Sequence, residues 1–141
     1  MKTRLIAIVL ALAVFGIVGA VGWVVLRPPA PPSAAVSGAP IAQVSDALSD
    51  GRIDLRVFDF GNREIRLEVG FVPNTTGADT SGLQPQATFT MLSMDMGGFP
   101  APLQPSGPGI WRADVKLPMG GRWAASAGFG DELAEVEFDA R

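Results

Sequence analysis

The chain has 141 residues, a formal net charge of −3, and no cysteine, histidine or tyrosine. This length leaves room for one domain with short accessory segments. Without cysteine the chain can form no disulfide, zinc–thiolate site, iron–sulfur cluster or thiol nucleophile. Without histidine and tyrosine it lacks the commonest general base and the phenol acid. We therefore expect a protein that is not an enzyme.

The N-terminal segment Leu5–Leu26 is an uncharged run of 22 residues. As a helix it would span roughly 33 Å, which matches the ~30 Å hydrocarbon core of a bilayer. Lys2 and Arg4 precede the run and only Arg27 follows it directly, so the positive-inside rule predicts a cytoplasmic N-terminus. Residues 1–26 are thus predicted to be a cytoplasmic tip and a single-pass transmembrane anchor, with the rest of the chain outside.

A cleaved secretory signal is the alternative interpretation of the same segment. The small residues Val18-Gly19-Ala20 resemble a cleavage site. However, the apolar run continues six residues past Ala20, beyond the ~7–15 residues of an ordinary signal core, which favours a retained anchor.

The remainder of the chain is acidic and begins with a spacer. All 14 acidic residues follow the apolar run, which is unsuited to a nucleic-acid partner, because binding to phosphates depends on Lys and Arg. Residues 27–40 contain five prolines, a composition typical of an extended polyproline II segment. We predict a linker over residues 27–49.

Alternation of apolar and polar residues dominates from residue 50 to the C-terminus. Residues 53–57 and 65–71 alternate, and Gly61-Asn62 between them predicts a hairpin turn. Residues 72–86 have the composition of a long loop. Further strands are predicted at 87–94, 101–104, 111–117, 123–129 and 133–138.

These six or seven short strands, with no amphipathic helix among them, predict an all-β domain over residues 50–141. The fold expected is an immunoglobulin-like antiparallel β-sandwich. With no disulfide, its cohesion must come from apolar strand faces. The side chains expected to face inward are those of Ile65, Leu67, Val69, Trp111, Val115, Leu117, Trp123, Val136 and Phe138.

Four methionines form the one pattern that points to chemistry. Met91, Met94 and Met96 lie within six residues, and Met119 follows in a Pro-Met-Gly-Gly turn. Thioether sulfur is a soft, uncharged donor that suits Cu(I). On an extended strand Met94 and Met96 share a face, so we expect them to be the primary ligands of a trigonal sulfur site that Met91 or Met119 completes.

The competing interpretation of the methionines is structural. Methionine is an adaptable side chain that fills irregular gaps in a core, and the end of a strand under a sandwich is such a place. In that case no cofactor is expected.

The stretch from Met91 to Trp123 resembles the YtkA-like and FixH-like family of small membrane-anchored bacterial domains. The resemblance is carried by Met94-Asp95-Met96-Gly97, by Gly107-Pro108-Gly109-Ile110-Trp111, and by the segment from Leu117-Pro118-Met119 to Trp123. It implies an immunoglobulin-like sandwich on the periplasmic side of the bacterial inner membrane. This chain departs from several members in having no histidine beside its methionines.

The resemblance also implies a role in copper handling or in the assembly of copper-containing respiratory oxidases. The expected partners are then the lipid bilayer, through Leu5–Leu26, and a respiratory oxidase or copper-handling proteins. The alternative function is a protein-interaction or assembly module that needs no metal.

The orientation of the anchor can be tested with reporter fusions. Alkaline phosphatase fused after Arg141 should be active, because the positive charges before Leu5 hold the N-terminus in the cytoplasm. A cytoplasmic reporter at the same position should be silent. The reverse pattern, or release of the domain into the soluble periplasmic fraction, would contradict the prediction.

Overall fold

A computed structural model describes residues 38–94 and 97–141 of the chain. Within these ranges the secondary structure consists of nine β-strands: β1 (Ala42–Ala47), β2 (Gly51–Asp59), β3 (Glu64–Pro73), β4 (Gln86–Met91), β5 (Phe99–Ala101), β6 (Gln104–Gly107), β7 (Ile110–Lys116), β8 (Gly121–Phe129) and β9 (Glu132–Ala140). None of the described residues belongs to a helix long and apolar enough to cross a membrane. The predicted anchor, 5–26, lies outside the described residues.

The strands form two antiparallel sheets, which confirms the all-β prediction. Sheet A has the order β1-β2-β3-β7-β6, and sheet B has the order β5-β4-β8-β9. The predicted hairpin is β2 and β3, with Leu55 opposite Val69. Its turn uses positive φ at Gly61 and Asn62, a backbone conformation that glycine and asparagine tolerate best.

The core lies between the two sheets and is built from alternate residues of each strand. Eight of the nine side chains predicted to face inward are buried, and the ninth, Val115, is half-buried. No polar or charged side chain is buried anywhere in the described ranges. The free energy that holds the sheets together therefore comes from apolar burial and close packing.

Aromatic rings occupy both ends of this core. Toward the end of β4, the Phe99 ring lies 5.9 Å from the rings of Phe89 and Trp123. Toward the opposite end, Phe129 lies 5.0 Å from Phe71 and 6.0 Å from Trp111, in both cases edge to face. Such pairs add about 0.5–1.5 kcal/mol beyond their area burial.

The outer face of sheet A is charged, as the alternation predicts. Glu68 on β3 accepts from Arg112 at 2.9 Å and from Arg56 at 3.4 Å, so one carboxylate joins three neighbouring strands. Next to it, both carboxylate oxygens of Asp114 accept from Arg66, at 2.6 and 3.1 Å. These cross-strand pairs keep the outer face in water and leave the apolar face to sheet B.

Three boundaries differ from the sequence prediction. The short strand predicted at 101–104 spans the connection between two strands, because β5 ends at Ala101 and β6 begins at Gln104. β1 lies inside the range predicted to be linker, 27–49, because it is an edge strand with only Ala42 and Val44 half-buried, too weak an alternation to stand out. β4 was expected to continue to residue 94 but ends at Met91. The residues after Met91 are exposed, so no apolar alternation extends the strand.

Burial predicts how two identical substitutions should differ. Leu67→Ala removes a side chain that is 0% exposed, and we expect it to lower the free energy of unfolding by ~2–5 kcal/mol. Leu133→Ala makes the same change at a site that is 56% exposed, where about 0.5 kcal/mol or less is expected. Urea unfolding of both variants measures the difference, and equal effects would contradict the inward orientation of β3.

Candidate metal centre

One end of the sandwich brings together the segments that carry the methionines. β4 ends there at Met91, opposite Trp123 of β8, and the turn from Leu117 to Gly120 joins β7 to β8 at the same end. The backbone N–H of Leu92 donates to the carbonyl of Arg122 at 2.9 Å and continues the pairing one residue further. We call this the methionine end, defined by Met91, residues 92–94 and 97–98, and the turn 117–120.

Met91 belongs to the core. Its side chain is 5% exposed, and its methyl carbon lies 2.9 Å from the position that a Cβ on Gly121 would occupy. Gly121 also has φ of +134°, where other residues are rarely found. The glycine therefore makes room for the end of Met91 and allows β8 to begin where it does. The end of Met91 thus lies beside the first residue of β8, directly after the turn that carries Met119.

Met119 is half-buried and packs against the core from the turn. Its backbone carbonyl accepts from the indole Nε1 of Trp123 at 3.3 Å. The turn is also fixed to the β2–β3 hairpin, because the N–H of Leu117 donates to the carbonyl of Arg63 at 2.9 Å and the guanidinium of Arg63 donates to the carbonyl of Pro118. The position of Met119 is thus set by two other elements.

Met94 is the exposed member of the group, with 54% of its surface in water. It lies three residues beyond the end of β4, in a bend. Met96, with Asp95, lies outside the described residues. Met94 and Met96 were predicted to share one face of an extended strand. Because β4 ends at Met91, Met94 does not lie on that strand.

The chain lies against sheet B again at Gly98. A Cβ on Gly98 would lie 2.7 Å from Oγ1 of Thr90 and 2.8 Å from a methyl of Thr88, so the chain runs close beside β4 here, in line with the pairing of Phe99 with Phe89. Gly97, in contrast, has no atom within 4 Å of such a position. Leu92 and Gly98 therefore both lie against sheet B.

The donors at this end suit a soft metal ion better than a hard one. In the described ranges, no group of three or more carboxylates lies close enough together to hold a metal ion. Thioethers stay neutral and unprotonated at any physiological pH, and they prefer Cu(I). The described end offers one exposed, one half-buried and one buried thioether.

Sequence reasoning did not anticipate how this end is held. The roles of Arg63 and Trp123 in fixing the Met119 turn depend on contacts between elements that are far apart in the chain. Trp123 was expected to face the core, and it does so at 1% exposure. No local pattern marks Arg63, whose φ of 65° lies in the left-handed region that arginine seldom adopts.

Comparison with protein-family models, with curated proteins and with solved structures gives no match for this chain.

The turn geometry predicts that the same substitution destabilises the fold at one glycine and has little effect at another. Gly121→Ala should lower the free energy of unfolding by about 1–3 kcal/mol, because alanine is strained at this φ and its methyl would meet Met91. Gly97→Ala, in the same end of the molecule but in open space, is the matched control and should change little. Thermal unfolding of the two variants checks this, and an unchanged melting temperature for Gly121→Ala would contradict the packing described.

Proposed function

We propose that this chain is a membrane-anchored, extracytoplasmic and non-enzymatic domain that binds Cu(I) through methionine sulfur. The observation that carries the proposal is that the end of β4, at Met91, and the turn that carries Met119 lie at the same end of the sandwich, with Met94 exposed three residues beyond β4. Thioethers from the segment after β4 and from this turn would supply the soft, neutral donors of a Cu(I) site. The absence of histidine, cysteine and tyrosine supports a role without catalysis.

The finer fold assignment in this proposal is immunoglobulin-like. The order β2-β3-β7-β6 corresponds to strands A, B, E and D of that fold, and the order β5-β4-β8-β9 corresponds to C′, C, F and G. β1 is then an additional edge strand. In such domains the loops collect at the two ends of the sandwich, which is where the methionines lie.

The sequence alone supports the proposed location of the domain at the membrane. The run Leu5–Leu26 is long enough to span a bilayer, and the Pro-rich segment after it would hold the domain away from the surface. The lack of cysteine suits an oxidising compartment such as the periplasm, where thioethers rather than thiols remain available to copper. The resemblance to YtkA-like and FixH-like domains supports the link to respiratory oxidase assembly.

The described geometry favours Met119 over Met91 as the third ligand. Met91 is 5% exposed and its methyl carbon fills the space where a side chain on Gly121 would project, so turning its sulfur toward an ion would disturb the core. Met119 is half-buried at the surface of the same cluster. We therefore assign Met94, Met96 and Met119 as the ligands and Met91 as the side chain that supports their segment.

A Cu(I) competition titration of the full chain in detergent tests the proposal. Met94→Leu, Met96→Leu and Met119→Leu should each weaken Cu(I) binding by at least ten-fold, since each removes one of three donors. These substitutions keep side-chain volume and usually cost less than ~1.5 kcal/mol, so the melting temperature of the metal-free protein should stay nearly constant. The Cu(I) dissociation constant and the melting temperature are measured on the same samples.

Leu92→Ala is the matched control, because Leu92 is an exposed apolar residue of the same segment that has no sulfur. It should leave Cu(I) affinity unchanged. If the wild-type chain binds no Cu(I), or if none of the three methionine variants weakens binding, the methionines are packing residues. The chain is then better explained as an interaction module that co-purifies with membrane partners without a metal.

A further inference from the structure

A second concave site lies at the end of the sandwich opposite the methionine end. It is a cavity of about 380 Å³ between the β1–β2 turn, the β3–β4 loop and the start of β9. Small-molecule sites typically occupy clefts of about 300–1,000 Å³, so the size suits a small ligand. We call it the far-end cavity; its lining residues used below are Asp50, Phe71, Asp79, Leu83, Phe129 and Glu132.

The walls of the far-end cavity are tied to one another. The backbone N–H of Ser49 donates to Oε2 of Glu132 at 2.9 Å, which joins the β1–β2 turn to β9. The N–H of Asn74 donates to the carbonyl of Asp50 at 2.9 Å, and its side-chain amide donates to the carbonyl of Ser49 at 3.1 Å. These bonds join the turn to the β3–β4 loop. The cavity is therefore formed before any ligand arrives, which lowers the entropy cost of binding.

The floor of the cavity is aromatic and aliphatic. Phe71 and Phe129 meet edge to face at 5.0 Å, and Leu83 from the β3–β4 loop contributes a third apolar side chain. Phe71 is 8% exposed, whereas Phe129 and Leu83 are half-buried and present part of their surface to the cavity. This floor suits a ligand with an apolar body, and aromatic faces attract cations.

All the charged residues that line the cavity are acidic. Asp50, Asp79 and Glu132 form its rim, and no lysine or arginine is among its lining residues. The N–H of Ser49 holds the pKa of Glu132 below its usual value, and the N–H of Ser81 does the same for Asp79. Both carboxyls are thus ionised at neutral pH. On the outer face of sheet A, in contrast, Arg56 and Arg112 neutralise the carboxylate of Glu68.

From the aromatic floor and the unneutralised acidic rim, we propose that the far-end cavity binds a small organic amine in its ammonium form. The apolar body of the amine would lie against Phe129 and Leu83, and its N–H groups would donate to the rim carboxylates. The charge of the rim excludes anions, and its position excludes a shared site with copper. This inference does not depend on the function proposed for the methionine end.

Benzylammonium is the probe that we would use on the full chain in detergent, with binding followed by the amide NMR signals of the cavity residues. Benzyl alcohol and benzoate have similar shape with neutral and negative charge. We expect benzylammonium to shift signals around Ser49, Asp79 and Phe129, benzyl alcohol to bind at least five-fold more weakly, and benzoate not to bind. Equal binding of the three probes, or shifts that are not confined to the cavity, would overturn the proposal.

Variants of the cavity separate charge from shape. Asp50→Asn keeps the side-chain shape, and only the backbone carbonyl of Asp50 takes part in holding the loops, so binding should weaken about two- to five-fold without unfolding. Asp139→Asn is the matched control, because it makes the same charge change on an exposed residue at the other end of β9. Phe129→Leu should weaken binding about three-fold through loss of the ring. Equal effects of Asp50→Asn and Asp139→Asn would contradict a local role of the rim.

A lysine side chain of a partner protein carries the same ammonium group as a free amine. A second probe distinguishes these two ligands. N-acetyl-lysine N-methylamide carries that side chain between two peptide groups. We expect it to bind more weakly than benzylammonium, because its linear chain covers less of the aromatic floor. Tighter binding of the lysine probe would overturn the assignment to a free amine and give the cavity to a partner's lysine.

Discussion

Contact between the apolar inner faces of the two sheets holds this domain together, because the chain has no cysteine with which to join them covalently. Every long strand must therefore place apolar side chains on alternate positions, and among the described residues the interior contains no polar side chain. Leu67 from sheet A and Trp123 from sheet B are both almost fully buried in the same cluster. The inner faces of the sheets pack together, and the outer face of sheet A carries cross-strand ion pairs. Loops and ligands are therefore expected at the two ends of the sandwich.

The two ends carry different chemistry and are far enough apart to act independently. β8 runs from one to the other, from Gly121 to Phe129, and nine residues of strand span roughly 26 Å at ~3.3 Å per residue. This exceeds the ~8 Å Debye length at physiological ionic strength several-fold. The carboxylates of the far-end cavity therefore do little to the potential at the methionine end, where the donors are neutral and their affinity depends on softness rather than charge.

Sequence periodicity was sufficient to predict the fold class, the β2–β3 hairpin and the inward residues of the long strands, because alternation directly reflects which face is buried. Periodicity did not predict β1, because the pairing of β1 with β2 depends on backbone hydrogen bonds that almost any residue can make. It extended β4 past Met91 because methionine and leucine are apolar whether they are buried or exposed. The far-end cavity could not be foreseen, since Phe71, Asp79 and Glu132 come from three separate elements.

The exposure of the assigned ligands bears on whether a Cu(I) site at the methionine end would store the ion or pass it on. A site whose donors are all fixed in the core binds tightly and releases slowly, because little entropy is lost on binding. Of the assigned ligands that the structure describes, Met119 is half-buried and Met94 is 54% exposed. An exposed donor can leave the ion first and let an incoming ligand replace it. If the methionine end binds Cu(I) as proposed, its geometry thus suits transfer to a partner better than storage.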